Sequence, residues 1–187
     1  MKQVLFAHSG GPQSGQGMGS YDLVTYLRRQ LGPEYALQFP LLDDPDHPTY
    51  RDWKQLLDIH FAMLQDGSIV IGHSLGGSVL LKYLAEEKPS ITLSGIFLVA
   101  IPFWGRSGWD APEFALPRNA VPNLPDVPMH FYHGYEDAVV PFEHVLIYKR
   151  MLPEAVLHGI DGRDHSFGRG MPGLVADIKA VDAGIIL

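Results

Sequence analysis

Apolar residues along this chain follow two alternating rhythms. Short, largely apolar runs occur at Gln3 to Ala7 (QVLFA), Ser68 to Gly72 (SIVIG), Ile96 to Ile101 (IFLVAI), Val127 to Tyr132 and Ala155 to Ile160, with a weaker one at Tyr35 to Phe39. Runs of this length with little polar alternation suit strands of a parallel sheet, which is covered on both faces. Between them, apolar positions recur three and four residues apart: Leu23, Val24, Leu27 and Leu31; Trp53, Leu56, Leu57, Phe61 and Leu64; Val79, Leu80, Tyr83 and Leu84; Leu174, Val175, Ile178 and Val181. That spacing lines one face of a helix. A further helix is predicted over Phe142 to Leu152. Ser20 stands where the first helix needs an N-cap and Gly32-Pro33 where it must stop. Thr49 opens the second helix, Asp66-Gly67 closes it, and Lys88-Pro89 ends the third.

Strands alternating with helices predict a three-layer α/β sandwich, a mainly parallel sheet of about six strands with helices on both faces, because each crossover returns right-handed over the sheet. The 187 residues suffice for a single domain, residues 1–187, with one substantial core. No repeat, low-complexity tract or linker divides them. Only the stretch from Pro102 to Val127, rich in proline and carrying two tryptophans, lacks a rhythm. It is the candidate for a minimal cap.

Composition removes several function classes. A formal net charge of −7 with 14 basic residues scattered along the chain offers no cluster to neutralise a nucleic-acid backbone. The absence of cysteine excludes disulfides, a thiolate nucleophile and thiolate metal sites. The start, MKQVLFAHSGG, lacks the longer apolar stretch of a signal peptide, and no run reaches membrane-spanning length. The expectation is a cytoplasmic protein acting on a small molecule, without nucleic-acid or membrane partners. Oligomeric state is left open.

Gly72-His73-Ser74-Leu75-Gly76 matches G-x-S-x-G. Alone this pattern is weak, but here an apolar strand runs into it and an amphipathic helix leaves it. A sharp strand-to-helix elbow needs small residues on either side of the serine. Gly72 and Gly76 meet that need, and Gly77 adds clearance. A serine hydroxyl becomes a good nucleophile only when a base takes its proton, and the base must be held by a carboxylate. Asp137, in HGYEDAVVP, lies just past the fifth run. His165, in GRDHSF, lies just past the sixth. Asp110, Asp161 and Asp164 are competing acids, Asp110 the most serious. The alternative reading makes Asp137 a turn residue beside Pro141 and His165 a surface loop histidine.

Taken together these landmarks resemble the α/β-hydrolase superfamily over nearly the whole chain: a His-Ser-Gly-Gly loop after the first strand, GHSLGG at the elbow, HGYEDAVVP at the acid and Gly-x-x-His at Gly162 to His165. The proline-rich stretch followed by Trp53 adds a looser likeness to the small serine hydrolases of the retinoblastoma-binding-protein type. The resemblance implies a serine hydrolase with Ser74, Asp137 and His165 as catalytic triad. Most members carry an antiparallel hairpin ahead of the strand placed at residues 3 to 7, and its absence here leaves six parallel strands. The usual first-loop His-Gly is also changed, since Ser9 stands where that glycine would be. One oxyanion donor is then the amide of Leu75, at a helix N-terminus. The other is Gly10, with Ser9 and Gly11 as competitors.

Other motifs fail on their own terms. The glycines from Gly72 to Ser78 have the spacing of a phosphate-binding loop, but Ser78 stands in place of the essential lysine. Gly15, Gly17 and Gly19 lack the dinucleotide spacing. His130 and His133 are three apart on a predicted strand and face opposite sides, so no metal is expected, and the chemistry calls for no cofactor. Phe103, Trp104 and Trp109 follow the fourth strand and are candidates to line an acyl or leaving-group pocket. The expected reaction is cleavage of an ester, thioester or similar acyl bond. An acyltransferase sharing the acyl-enzyme and a noncatalytic binding protein retaining the fold are the alternatives.

Overall fold

A computed structural model describes residues 1–105, 108–162 and 164–185. The chain runs β1 (Lys2–Ala7), α1 (Tyr21–Leu31), β2 (Tyr35–Gln38), α2 (Tyr50–Phe61), β3 (Ser68–His73), α3 (Leu75–Glu87), β4 (Leu93–Val99), β5 (Met129–Gly134), α4 (Glu143–Met151), β6 (Val156–Ile160) and α5 (Pro172–Asp182). Two short 3-10 helices, Pro112–Phe114 and Arg118–Asn123, lie between β4 and β5. The strands form one six-stranded sheet in the order β2-β1-β3-β4-β5-β6, and every pairing is parallel. The fold is an α/β sandwich with an all-parallel sheet, as the alternating rhythms predict.

The chain leaves β1 toward one edge of the sheet and returns to β3 on the other side of β1. The α1 crossover and the α2 and α3 crossovers therefore lie on opposite faces, which makes the carboxyl ends of β1 and β3 a topological switch point, where such folds form a crevice. One apolar cluster packs Leu23, Val24 and Leu27 of α1 and Leu174 and Ile178 of α5 on one sheet face. The other packs Trp53 and Leu57 of α2, Val79 and Leu80 of α3, and Val145 and Tyr148 of α4 on the opposite face. Helix α3 is more than amphipathic: ten of its 13 residues are buried, because α2 and the 3-10 segments cover the side turned away from the sheet.

Boundaries moved where the local chemistry differs from the apolar count. Strand β4 begins at Leu93 and stops at Val99, because Ala100 takes a left-handed conformation (φ 49°). Strand β5 starts after Pro128, which has no amide to donate to the ladder, and continues through the polar His133 to Gly134. Thr49 caps α2 as expected, its hydroxyl accepting the Asp52 amide at 3.2 Å. Ser20 occupies the cap position of α1 but makes no side-chain cap bond; its hydroxyl is engaged elsewhere. Among the described residues, no helix is long and apolar enough to cross a membrane.

Candidate active site

The turn from β3 into α3 is tight enough to dictate its residues. A methyl group on Gly76 would run into the main-chain oxygens of Ala7 and His8, and one on Gly72 into the backbone of Gly77. Between them Ser74 sits at φ 52° and ψ −125°, a strained region costing of order 1–3 kcal/mol. Its amide donates to the Val99 carbonyl at 2.8 Å. Ser74 is partly exposed and directly precedes the first residue of α3.

His165 reaches Ser74 from the segment after β6, with Nε2 2.9 Å from Oγ. Its Nδ1 stands 2.8 Å from Oδ2 of Asp137, on the turn after β5. A carboxylate only accepts, so the imidazole proton belongs on Nδ1 and the Nε2 lone pair faces the serine hydroxyl. The other Asp137 oxygen, Oδ1, accepts the amides of Val139 and Val140, each at 2.9 Å. Burial opposes ionisation of Asp137, but His165 and those two amides outweigh it and hold the carboxyl below its ordinary range. His133 closes the turn through Nε2–H to the Val140 carbonyl at 2.8 Å. The competing acids lie elsewhere: Asp110 and Asp161 are exposed, and Asp164 accepts from Ser166 Oγ and the Phe167 amide.

The first loop resolves into amides with different fates. Ser9 donates its amide to Ser20 Oγ at 2.9 Å, and Gly11 donates to the Pro45 carbonyl at 2.9 Å. Among the described residues the Gly10 amide has no such partner, and a methyl on Gly10 would lie 3.2 Å from Leu75 Cδ2. Gln13 pins the same loop, donating to the Ser9 carbonyl at 3.2 Å and accepting the Leu42 amide at 2.8 Å. The Ser9 carbonyl and the Gly10 amide belong to one planar peptide and point in opposite directions. Holding the first therefore aims the second. The Leu75 amide, first in its helix, has no intrahelical acceptor.

The three aromatic residues after β4 pack mainly on one another and their surroundings. Trp104 lies between Trp109 and Phe114, at ring separations of 5.4 and 5.3 Å. Trp109 meets His144, and Phe103 meets Tyr148. These contacts are with the protein itself.

His130 and His133 do face opposite sides, the first stacking on Phe97 and the second meeting Phe142. His130 is nonetheless joined by His158 and Asp177 in a group whose ligand-type atoms lie within 4.8 Å of one another, an arrangement that sequence spacing did not reveal. The two imidazoles are nearly parallel (11°), with centroids 5.4 Å apart and Nδ1 to Nε2 at 3.1 Å. At that separation one ring nitrogen can donate a hydrogen bond to the other.

The contacts of three buried polar residues near the site, His73, Ser20 and Gln13, were not read from the sequence. A signal existed for the first, since a histidine closing an otherwise apolar strand must find partners once buried. Its partners, like those of Ser20, lie far away in sequence.

Residues 4–147, more than half of the chain, match the model of the alpha/beta hydrolase family. A comparison with curated protein sequences finds no match. Among solved structures, the ydeN gene product from B. subtilis superposes with a TM-score of 0.80 at 17% identity, covering 98% of this chain and 100% of that one. The esterase RhEst1 from Rhodococcus superposes at 0.73 with 16% identity, covering 99% and 91%. A serine hydrolase without a lid from Xanthomonas campestris superposes at 0.64 with 17% identity, covering 98% and 80%.

Proposed function

Since the chain belongs to the alpha/beta hydrolase family, we propose that it is a serine hydrolase that cleaves a carboxylic ester, thioester or similar acyl bond through an acyl-enzyme on Ser74. The observation carrying this reading is the continuous hydrogen-bonded chain from Ser74 through His165 to Asp137. Structural likeness to an esterase and a serine hydrolase agrees with it.

In the proposed cycle Ser74 Oγ attacks the acyl carbon while His165 Nε2 takes its proton. Asp137 stabilises the resulting imidazolium and keeps the ring in place. The amides of Leu75 and Gly10 donate to the oxyanion, where the N-terminus of α3 also favours negative charge. His165 then protonates the leaving group. Water, deprotonated by the same imidazole, attacks the acyl-enzyme and releases Ser74. Phe103, Trp104 and Trp109 are proposed to border the acyl or leaving-group side of the crevice.

The test is turnover of p-nitrophenyl esters of graded acyl length together with fluorophosphonate labelling. Ser74→Ala is expected to lower kcat by several orders of magnitude and to abolish labelling. A label found on another serine, with Ser74 unmodified, would overturn the assignment.

A further inference from the structure

His73, the variable residue before Ser74 in the elbow, is buried to 1% exposure and yet bonded at both ring nitrogens. Nε2 lies 2.8 Å from the main-chain carbonyl of His165, and Nδ1 lies 2.8 Å from Ser20 Oγ. A carbonyl can only accept, so Nε2 carries the proton and Nδ1 accepts the Ser20 hydroxyl hydrogen. Ser20 Oγ in turn accepts the amide of Ser9 at 2.9 Å. The result is one directed chain: Ser9 N–H to Ser20 Oγ–H, then to His73 Nδ1, and from His73 Nε2–H to the His165 carbonyl. It begins in the first loop, at the residue before Gly10, and ends on the backbone of His165 itself.

We propose that His73 is a positioning residue which, through Ser20, ties the segment carrying His165 to the loop carrying Gly10, setting base and oxyanion donor in register with Ser74. This inference rests on the hydrolase reading above and adds a role that reading does not need. His73 touches neither Ser74 Oγ nor the His165 ring nitrogens through any of these bonds, so it acts only through its neighbours. Its site demands a neutral donor-acceptor. Burial, reinforced by the nearby His165, pushes its pKa down to about 3, so no second positive charge competes when His165 takes up a proton. The rings of His73 and His165 lie 5.2 Å apart, and Phe167 closes the other side edge-on at 6.4 Å. A shift of the His165 backbone would carry its Nε2 away from Ser74, and misplacement of about 1 Å can cost about 100-fold in rate.

The experiment compares wild type with His73→Leu, His73→Gln and Ser20→Ala. Turnover of p-nitrophenyl acetate is normalised to Ser74 sites titrated by fluorophosphonate. Normalisation removes misfolded protein from the comparison. His73→Leu, which loses both bonds, is expected to lower kcat per titrated site by about 10- to 100-fold with KM changed less than about threefold. His73→Gln, which restores a donor to the His165 carbonyl, should recover at least half of that loss on a logarithmic scale. Ser20→Ala should lower the rate per site by about 3- to 30-fold although it leaves the bond from His73 to His165 intact. Should His73→Leu yield no titratable sites, Ser20→Ala and His73→Gln carry the test alone. Normal kcat per site in Ser20→Ala, or equal defects in His73→Leu and His73→Gln, would overturn the positioning role. Failure of wild type to label at Ser74 would instead overturn the hydrolase reading, and this inference with it.

Discussion

In the proposed triad Asp137 has to satisfy two requirements that its burial opposes: its carboxyl must stay ionised, and it must hold His165 in one tautomer. Its side chain is fully buried (0% exposed), and the Val139 and Val140 amides fix which oxygen faces away from the histidine. Those two amides decide what a conservative change would do. In Asp137→Asn the carboxamide oxygen must stay on the two N–H donors, which turns the NH2 toward His165 Nδ1. The imidazole would then carry its proton on Nε2, facing Ser74, where it cannot act as a base. The expected loss is up to about 10⁴ in kcat, read from steady-state ester turnover. Asp110→Asn, at an exposed position, should stay near wild type, and a crippled Asp110→Asn with an active Asp137→Asn would reverse the assignment. The positions of Ser74, Asp137 and His165 were legible in the sequence because each follows an apolar run, and strand ends share one rim. Which of the Ser9, Gly10 and Gly11 amides is left without a partner among the described residues was not. It depends on which amides find partners, and those partners, Ser20 and the Pro45 carbonyl, are set by tertiary folding.

Glycines in the first turns of two helices show how the same substitution reads differently by element. Gly76, in the first turn of α3, lies against the main-chain oxygens of Ala7 and His8, so α3 sits as close to β1 as backbones permit. Gly173, in the first turn of α5, has nothing within 4 Å of the place a Cβ would occupy. Gly173→Ala should therefore raise stability by some tenths up to about 1 kcal/mol, through lower unfolded-chain entropy. Gly76→Ala should lower it by about 1–3 kcal/mol or more, because main-chain atoms cannot yield as a side chain can. Thermal unfolding followed by circular dichroism measures both, and a Gly76→Ala protein melting at or above wild type would refute the close approach. Element order and type were legible because long rhythms average over local exceptions. The ends of β4 and β5 were not, since a left-handed Ala100 and the missing amide of Pro128 leave no trace in an apolar count. Ser20 is the instructive miss. Its position at the start of α1 was readable, but its hydroxyl serves His73 and Ser9 in place of the helix.

For the whole molecule, four buried histidines, His8 and His73 at the ends of β1 and β3 and His130 and His133 on β5, set how the protein responds to acid. His73 is pushed down to about 3, chiefly by burial. His8, buried with Phe6 and Phe39 around its ring, is pushed down to about 4 by the same cause. His130 and His133 are lowered too, again first by burial. In the unfolded chain each imidazole protonates near its ordinary value of about 6.5. Between that value and the folded ones, the unfolded state binds protons that the folded state refuses. Stability then falls as pH falls. For His73 and His8 this contribution is complete above about pH 6.5 and is lost progressively toward pH 3 to 4, and His130 and His133 act in the same direction. Asp137 acts in a lower window: its depressed carboxyl adds stability above the unfolded aspartate value, and that stability disappears only as pH drops through its folded value. The loss should therefore begin well before carboxylates titrate. Urea midpoints measured from pH 7.5 to 4 are expected to decline from about pH 6.5 downward, and replacing His8 with phenylalanine should flatten part of that slope. Midpoints that stay constant between pH 7 and 5 would mean that the buried imidazoles are protonated in the folded protein after all.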